Sequence, residues 1–296
     1  MKRSTLLGSV AALSIVAAAS ANARASVPET DVPLAPLAPP AGGVPVAFLL
    51  SNGAVMIDFA GPWEVFHDAH VTGRSQPAFN LYTVAETAKP VVVSGGMTIV
   101  PNFALATAPA PKVVVVPAQS DPTPAVKAWL VKMAREADLV MSVCTGALVL
   151  AQAGLLEGRP ATTHHSAFGT FAMNYPNVAL KRGVRFVDDG RIATSAGLSA
   201  GIDLALHVVA RYYGKDAALQ TAYDMEYQSV SWLSASNPAY RKPPIARAGY
   251  SNCAVCWMEV DPKTSPMVVY KEKKYYFCMT AHERIFTSDP LRFVNA

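Results

Sequence analysis

The sequence predicts an α/β sandwich built around a mostly parallel sheet, followed by a small cysteine-bearing unit. Three observations lead there. Apolar runs such as KVVVVP and DLVMSV are continuous rather than alternating, as expected of strands covered on both faces. Helical segments lie between them. Three of the four cysteines, Cys253, Cys256 and Cys278, fall after a proline-rich break, and Cys144 stands alone in the preceding part. With 296 residues, 51% of them apolar and 16% charged, the chain is long enough to bury a substantial core.

The opening MKRSTLLGSVAALSIVAAASANARA has a basic start at Lys2 and Arg3, an apolar middle and A-x-A cleavage options ending at Ala23 or Ala25. It reads as a secretory signal, which makes the mature protein periplasmic in a bacterium, or otherwise secreted, and leaves it no membrane partner after cleavage. An uncleaved anchor is the competing reading, against which stand the short alanine-rich run and its small-residue end. Lys2, Arg3 and Arg24 leave with the signal. The 25 basic residues then fall to near parity with the 21 acidic ones. Nucleic acid is thereby excluded as a partner, since its binding needs clustered Lys and Arg.

SVPETDVPLAPLAPPAGG follows as a tether without a packable core. The first strand is predicted at VPVAFLL (44–50), then a helix from about Gly61 to His70 and strands at FNLYTVAE (79–86) and KVVVVP (112–117). Next come a helix near Pro122 to Glu136, the strand DLVMSV (138–143), a helix past Cys144 to about Gly154 and a strand at ATTHH (161–165). VRFVDDGRIATS reads as a hairpin, because Asp189-Gly190 is a strong turn signal. Two helices close the domain, from about Ser199 to Tyr213 and Lys215 to Gln228. SNPAYRKPPIARAG lacks periodicity and carries three prolines, so it is a linker. The chain thus divides into a signal (1–25), a tether (26–43), an α/β domain (44–235), a linker (236–249) and a C-terminal unit (250–296), the last too small to hold a core unaided.

MSVCTGALVL (141–150) raises the chemical question. A strand ending at Val143 and a helix starting at Thr145 would hold Cys144 in a tight turn at the carboxyl edge of the sheet, where ligands bind in open α/β folds. The helix amino terminus and its unpaired N–H groups would favour a thiolate. Thr145 could add a hydroxyl, and Gly146 would leave open space beside the sulfur. The competing reading is a small buried hydrophobe.

VMIDFAGPWEVF (55–66), SVCTGALVLAQAGLLEGRPATTHH (142–165) and TSAGLSAGIDLALHVVARYYG (194–214) resemble matching segments of the ThiJ/PfpI superfamily, related in fold to class I glutamine amidotransferases. Within it they are most similar to the isonitrile hydratase branch, and they also resemble the ligand-sensing domain of some helix-turn-helix regulators. The resemblance covers about residues 44–230. It implies a flavodoxin-like three-layer sandwich, a homodimer and Cys144 as nucleophile, with Asp58 as its acidic partner and Thr145 in the family's position after the cysteine. Apolar neighbours in Met56-Ile57-Asp58-Phe59 would also favour a protonated Asp58, although a helix N-cap is the commoner role for such an aspartate. A consistent reaction hydrates a small isonitrile to an N-substituted formamide. In it the Cys144 thiolate attacks, Asp58 moves the proton, and N–H groups near Ala118 and Thr145 hold developing charge.

Two departures from the resemblance stand out. Relatives commonly have a glycine-rich turn where this chain has Val116-Pro117-Ala118-Gln119, and no His-x-Glu follows His164. His164 and His165 are therefore structural or pocket-lining, and glutaminase or peptidase activity recedes. His207 reads as a core residue, and His67 with His70 lacks a third metal ligand.

In the C-terminal unit, Cys253-x-x-Cys256 followed by Cys278-x-x-x-His282 has the spacing of a tetrahedral soft-metal site suited to zinc or copper. Val255-Cys256-Trp257-Met258 and Tyr275-Tyr276-Phe277-Cys278 resemble the YHS family of metal-associated modules. Cys253 stands where that family more often has aspartate, and His282 where it often has a second cysteine. A Cys253–Cys256 disulfide remains the alternative in an oxidising compartment. Two functions stay open: an exported hydratase with a metal-bearing accessory module, and a non-catalytic protein that senses or binds a small ligand, metal or oxidant.

Overall fold

The computed structural model describes residues 35–237 and 242–294. The expected signal and the first part of the tether lie outside the described residues, as do positions 238–241 of the linker. None of the described helices is long and apolar enough to cross a membrane.

A seven-stranded sheet organises the main domain. Its order is Phe186–Asp188, Ile192–Ser195, Leu139–Ser142, Val113–Val116, Val44–Leu49, Phe79–Ala85 and Phe103–Ala104. Every neighbouring pair is parallel except the first, the hairpin that turns at Gly190. Val113–Val116 and Leu139–Ser142 are buried at every position, which is why their sequences carry no polar alternation.

The helices are α1 (Met56–His67), α2 (Pro124–Glu136), α3 (Gly146–Gln152), α4 (Phe168–Asn174), α5 (Ala200–Tyr213), α6 (Lys215–Asp224) and α7 (Ser231–Ser234). One face of the sheet packs through Phe48, Val115 and Met141 against α1 and α5, which bring Phe66, Leu204 and Val208. The other face packs Val114, Val116 and Val140 against α2, α3 and α4, with Leu130, Leu150 and Phe171. Two helical layers over one mostly parallel sheet make the predicted three-layer sandwich. His207 is the expected core residue, and its Nε2 lies 2.9 Å from Asp188, which also binds Arg211. The tether's end reaches this cluster, for Arg211 donates to the carbonyl of Ala35.

Several boundaries differ from expectation. Helix α1 begins at Met56, not Gly61, because Val55 N–H is tied to the carbonyl of Ala118 and fixes the turn earlier. Pro62 consequently lies inside the helix. The strand expected over 161–165 shrinks to Pro160–Ala161 and gives way to a 3₁₀ turn, His165–Ala167. Helix α6 stops at Asp224, short of Gln228.

The C-terminal unit consists of two short hairpins, Ser251–Asn252 with Glu259–Val260 and Met267–Tyr270 with Lys273–Tyr276, followed by α8 (Thr280–Ser288) and the short helix Leu291–Val294. Its small core contains Cys253, Val255, Val260, Phe277 and Phe286, and it recruits Ala172 from α4 of the main domain.

Candidate active site

Cys144 occupies the corner between the strand ending at Ser142 and helix α3. Its φ of 59° is left-handed, a conformation a side chain beyond glycine adopts at a cost. The surroundings hold it there. Cys144 N–H donates to the carbonyl of Ala196 (3.0 Å), and Thr163 Oγ1 donates to the carbonyl of Cys144 (2.9 Å). The residue is only 6% exposed.

Gly146 permits this corner in a different way from that expected. A Cβ at this position would sit 2.2 Å from the carbonyl oxygen of Val116 and 2.8 Å from that of Pro117, so no open space lies on that side. The glycine lets α3 start directly against the end of the neighbouring strand. Thr145 precedes the helix and makes no side-chain capping bond.

Asp58 comes to the same point from α1. It is fully buried, and it lies in the first turn of that helix rather than at its N-cap, which is Val55. Asp58 Oδ2 accepts the N–H of Ala118 at 3.1 Å, while Oδ1 is sealed in without an N–H or O–H donor. The thiol of Cys144 is its hydrogen-bonding neighbour. Burial raises the Asp58 carboxyl to about 6, opposed by the Ala118 N–H and by Cys144. The expectation for Ala118 is thereby corrected: its N–H is engaged in holding Asp58 and is not free to receive an oxyanion.

The sulfur also departs from expectation. Burial, then the nearby Asp58 charge, push the thiol up to about 11, and the N–H groups of Thr145 and Leu198 oppose this without reversing it. The helix start therefore does not produce a resting thiolate. At neutral pH the proton resides on sulfur and the carboxyl is mostly ionised. Leu198 is the donor that sequence reasoning missed. It has a φ of 48° and comes from the loop before α5.

Beside this corner lies a cavity of about 210 Å³, walled by Thr163, His164, Phe168, Arg185, Leu198 and Asn237 among others. Cys144 is not on its wall. It meets the cavity through Thr163, Ala196 and Leu198, which bind its backbone or sulfur. His164 is pocket-lining, as expected; its Nδ1 lies 2.8 Å from Ser166 Oγ, and its ring packs on that of His165 with centroids 4.1 Å apart. Burial, then the charge of His165, hold His164 below the usual imidazole range.

The sequence profile of the DJ-1/PfpI family matches residues 44–211, more than half of the chain and all of the corner just described. The chain belongs to the DJ-1/PfpI family. Among curated relatives, the isonitrile hydratase of Pseudomonas putida is 30% identical over 198 residues, 65% of this chain and 82% of that protein. Two transcriptional regulators of the helix-turn-helix type from Pseudomonas aeruginosa also match. CdhR is 37% identical over 137 residues and GbdR 28% identical over 203 residues, covering 45% and 66% of this chain. The chain spans only 40% and 54% of their lengths. A ThiJ/PfpI family protein of Pseudomonas syringae superposes with a TM-score of 0.56 at 28% identity, over 67% of this chain and 78% of that one. Drosophila melanogaster DJ-1beta gives the same TM-score at 20% identity, which speaks to the fold alone. The family model ends at residue 211, before the C-terminal unit.

In that unit the four residues singled out by spacing converge. The sulfurs of Cys253, Cys256 and Cys278 and a ring nitrogen of His282 all lie within 4.8 Å of one another. His282 Nδ1 is 3.4 Å from Cys253 Sγ and 3.1 Å from Cys278 Sγ, and the Cys256 and Cys278 sulfurs are 3.7 Å apart. A tetrahedral zinc with bonds of about 2.3 Å to sulfur and 2.0 Å to nitrogen needs edges of about 3.5 to 3.8 Å, so the donor set fits such an ion. All four cysteines are free. Hydrogen bonding from Cys256 leads, against burial, in lowering the Cys253 thiol, whereas the hydrogen bond with Cys253 raises the Cys256 thiol and burial raises that of Cys278.

Proposed function

We propose that the protein is an exported, homodimeric hydratase of the isonitrile type, with a metal-holding module at its carboxyl end. The observation that carries the chemical part is the buried carboxyl of Asp58 beside the Cys144 thiol, one ionised and the other protonated at neutral pH. The 30% identity to the Pseudomonas putida hydratase over 198 residues supports the choice of substrate class.

In an isonitrile, R–N≡C, the terminal carbon must gain both a nucleophile and a proton. Asp58 takes the thiol proton as sulfur bonds to that carbon, then returns it to the same carbon, giving the thioimidate R–N=CH–S–Cys144. Water then adds across the C=N bond, its hydroxyl to carbon and its other hydrogen to nitrogen. The C–S bond breaks, the hydroxyl proton passes through Asp58 to sulfur, and R–NH–CHO leaves. The N–H groups of Thr145 and Leu198 stabilise sulfur while it carries charge, Leu198 standing in for the Ala118 N–H that was expected to act with Thr145. Thr145 orients water or substrate, and His164 bounds the substrate cavity.

The test is formation of an N-substituted formamide from a small alkyl isonitrile, with Cys144→Ser expected to abolish it. Turnover should rise with pH through about 6, as Asp58 ionises, and stay level until the thiol titrates near 11. Activity unchanged by Cys144→Ser would remove this mechanism. The second reading, a small-ligand or redox sensor, is favoured by one observation: the cavity's wall does not include Cys144. Isonitrile binding without turnover, indifferent to Cys144→Ser, is its expected signature.

The metal reading rests on the four converging donors. Four protein ligands leave no open position, so a bound zinc or copper ion would cross-link and organise the module without activating water. One metal ion per chain is expected by elemental analysis, and none after truncation at Ser236.

A further inference from the structure

Resting on that metal reading, we infer that the cluster is a latch: metal held in the C-terminal unit fastens it to helix α4 and so fixes one wall of the cavity beside Cys144. All four donor residues come from the C-terminal unit, but part of their surroundings comes from the α/β domain. Gly169 of α4 lies against the cluster so closely that a Cβ there would be 2.6 Å from His282 Cε1, 2.8 Å from Nε2 and 3.1 Å from Cys256 Cβ. One turn along the same helix, Ala172 is buried in the unit's own core.

Arg182 makes the second half of the contact. Its guanidinium is stacked between Phe168 of the α/β domain (4.1 Å to the ring centroid) and Trp257 of the knuckle, the Cys253–Cys256 turn and the residue after it (4.3 Å). It also donates to the carbonyl of Val255, between the two knuckle cysteines. Trp257 is held in a left-handed conformation, with φ of 67°, that presents the indole to this cation. Three thiolates and a zinc ion carry one net negative charge, two with copper(I), and Arg182 is the cation of the main domain that faces it. Burial draws Arg182 down to about 10, and the sulfurs of Cys256 and Cys253 oppose that shift.

Phe168 connects this contact to the chemistry. It packs on Arg182 on one side and lines the Cys144 cavity on the other. When the cluster is loaded, His282 and the two knuckle cysteines are fixed in one geometry, and that geometry matches the face of α4 presented by Gly169 and Ala172. Without metal the four donors carry no cross-link, and a unit with so small a core loses the rigidity that holds α4.

The experiment uses the full chain, stripped with a chelator and reloaded with Zn²⁺ alone. Hydrogen exchange in peptides spanning residues 163–176 should slow at least tenfold on loading, while peptides spanning 44–50 remain unchanged. Arg182→Met should weaken Zn²⁺ affinity about tenfold in competition with a chromophoric chelator, as loss of an outer partner does at other metal sites. Arg182→Lys, which keeps the charge but loses the flat stacking fork, should fall between the two. Gly169→Ala, a favourable change for an isolated helix, should weaken affinity through its clash with His282. Wild-type zinc uptake with unaltered exchange at 163–176, or with wild-type affinity in Arg182→Met and Gly169→Ala, overturns the latch and leaves the metal reading standing. A wild-type chain that takes up no Zn²⁺ overturns both.

Discussion

Replacing Asp58 with asparagine is expected to make the protein more stable at pH 7.5 and to cost it nearly all of the proposed hydratase turnover. The carboxyl is fully buried and titrates near 6, against an ordinary value of 3.8. The folded state therefore holds this proton more tightly than the unfolded state does. Above pH 6 the native chain bears an ionised group it would sooner protonate, at a cost of about 3 kcal/mol for two pH units. As pH falls from 6 towards 3.8 that cost disappears. Asparagine is neutral throughout, and its oxygen can still accept the N–H of Ala118. Thermal melts should show the variant ahead of the wild type at pH 7.5, with the gap closing by pH 4. Turnover should fall by about 10² to 10⁴, the usual contribution of a positioned acid and base. A variant that is less stable at pH 7.5, or one that keeps its turnover, would show that the carboxyl is not the strained proton carrier described above.

The second large effect is expected at Gly146. Its would-be Cβ points at two main-chain oxygens, those of Val116 and Pro117, and neither is a flexible side chain that can turn aside. Alanine there must push α3 away from the sheet or bend the end of the central strand. The destabilisation should be about 3 kcal/mol, the upper part of the range for overpacked interiors. In a domain of this size that lowers Tm by about 6 to 12 °C. Any surviving folded protein should carry a displaced Cys144, and a shift of about 1 Å at a reacting atom costs about a hundredfold in rate. An alanine variant with unchanged melting and unchanged turnover would mean that the elbow is far more pliable than its contacts suggest.

Much of this was legible in the sequence, for identifiable reasons. Val113–Val116 and Leu139–Ser142 announce themselves because strands covered on both faces need no polar positions. The hairpin at Gly190 follows from its turn chemistry, and the convergence of Cys253, Cys256, Cys278 and His282 from their spacing. What escaped was set by partners distant in the chain. Proline at position 62 looks like a helix start, yet α1 begins earlier because Val55 is tied to Ala118 across the sheet. Leu198 donates to a sulfur 54 positions before it, and nothing local marks that N–H as special. Helix dipole reasoning favoured a thiolate at Cys144, and burial with an adjacent carboxylate outweighed it. Gly169 and Ala172 look like neutral fillers of a short helix until the C-terminal unit is seen against them.

The left-handed backbone at Cys144 bears on how freely this position can change. Glycine would enter that corner without steric resistance, relieving on the order of 1 kcal/mol. Drift governed by folding alone would run downhill towards it, since nothing about the sheet or the helix requires sulfur there. A side chain kept against its own conformational preference is thus a standing expense with no architectural return, and whatever recovers that expense lies in what the sulfur meets.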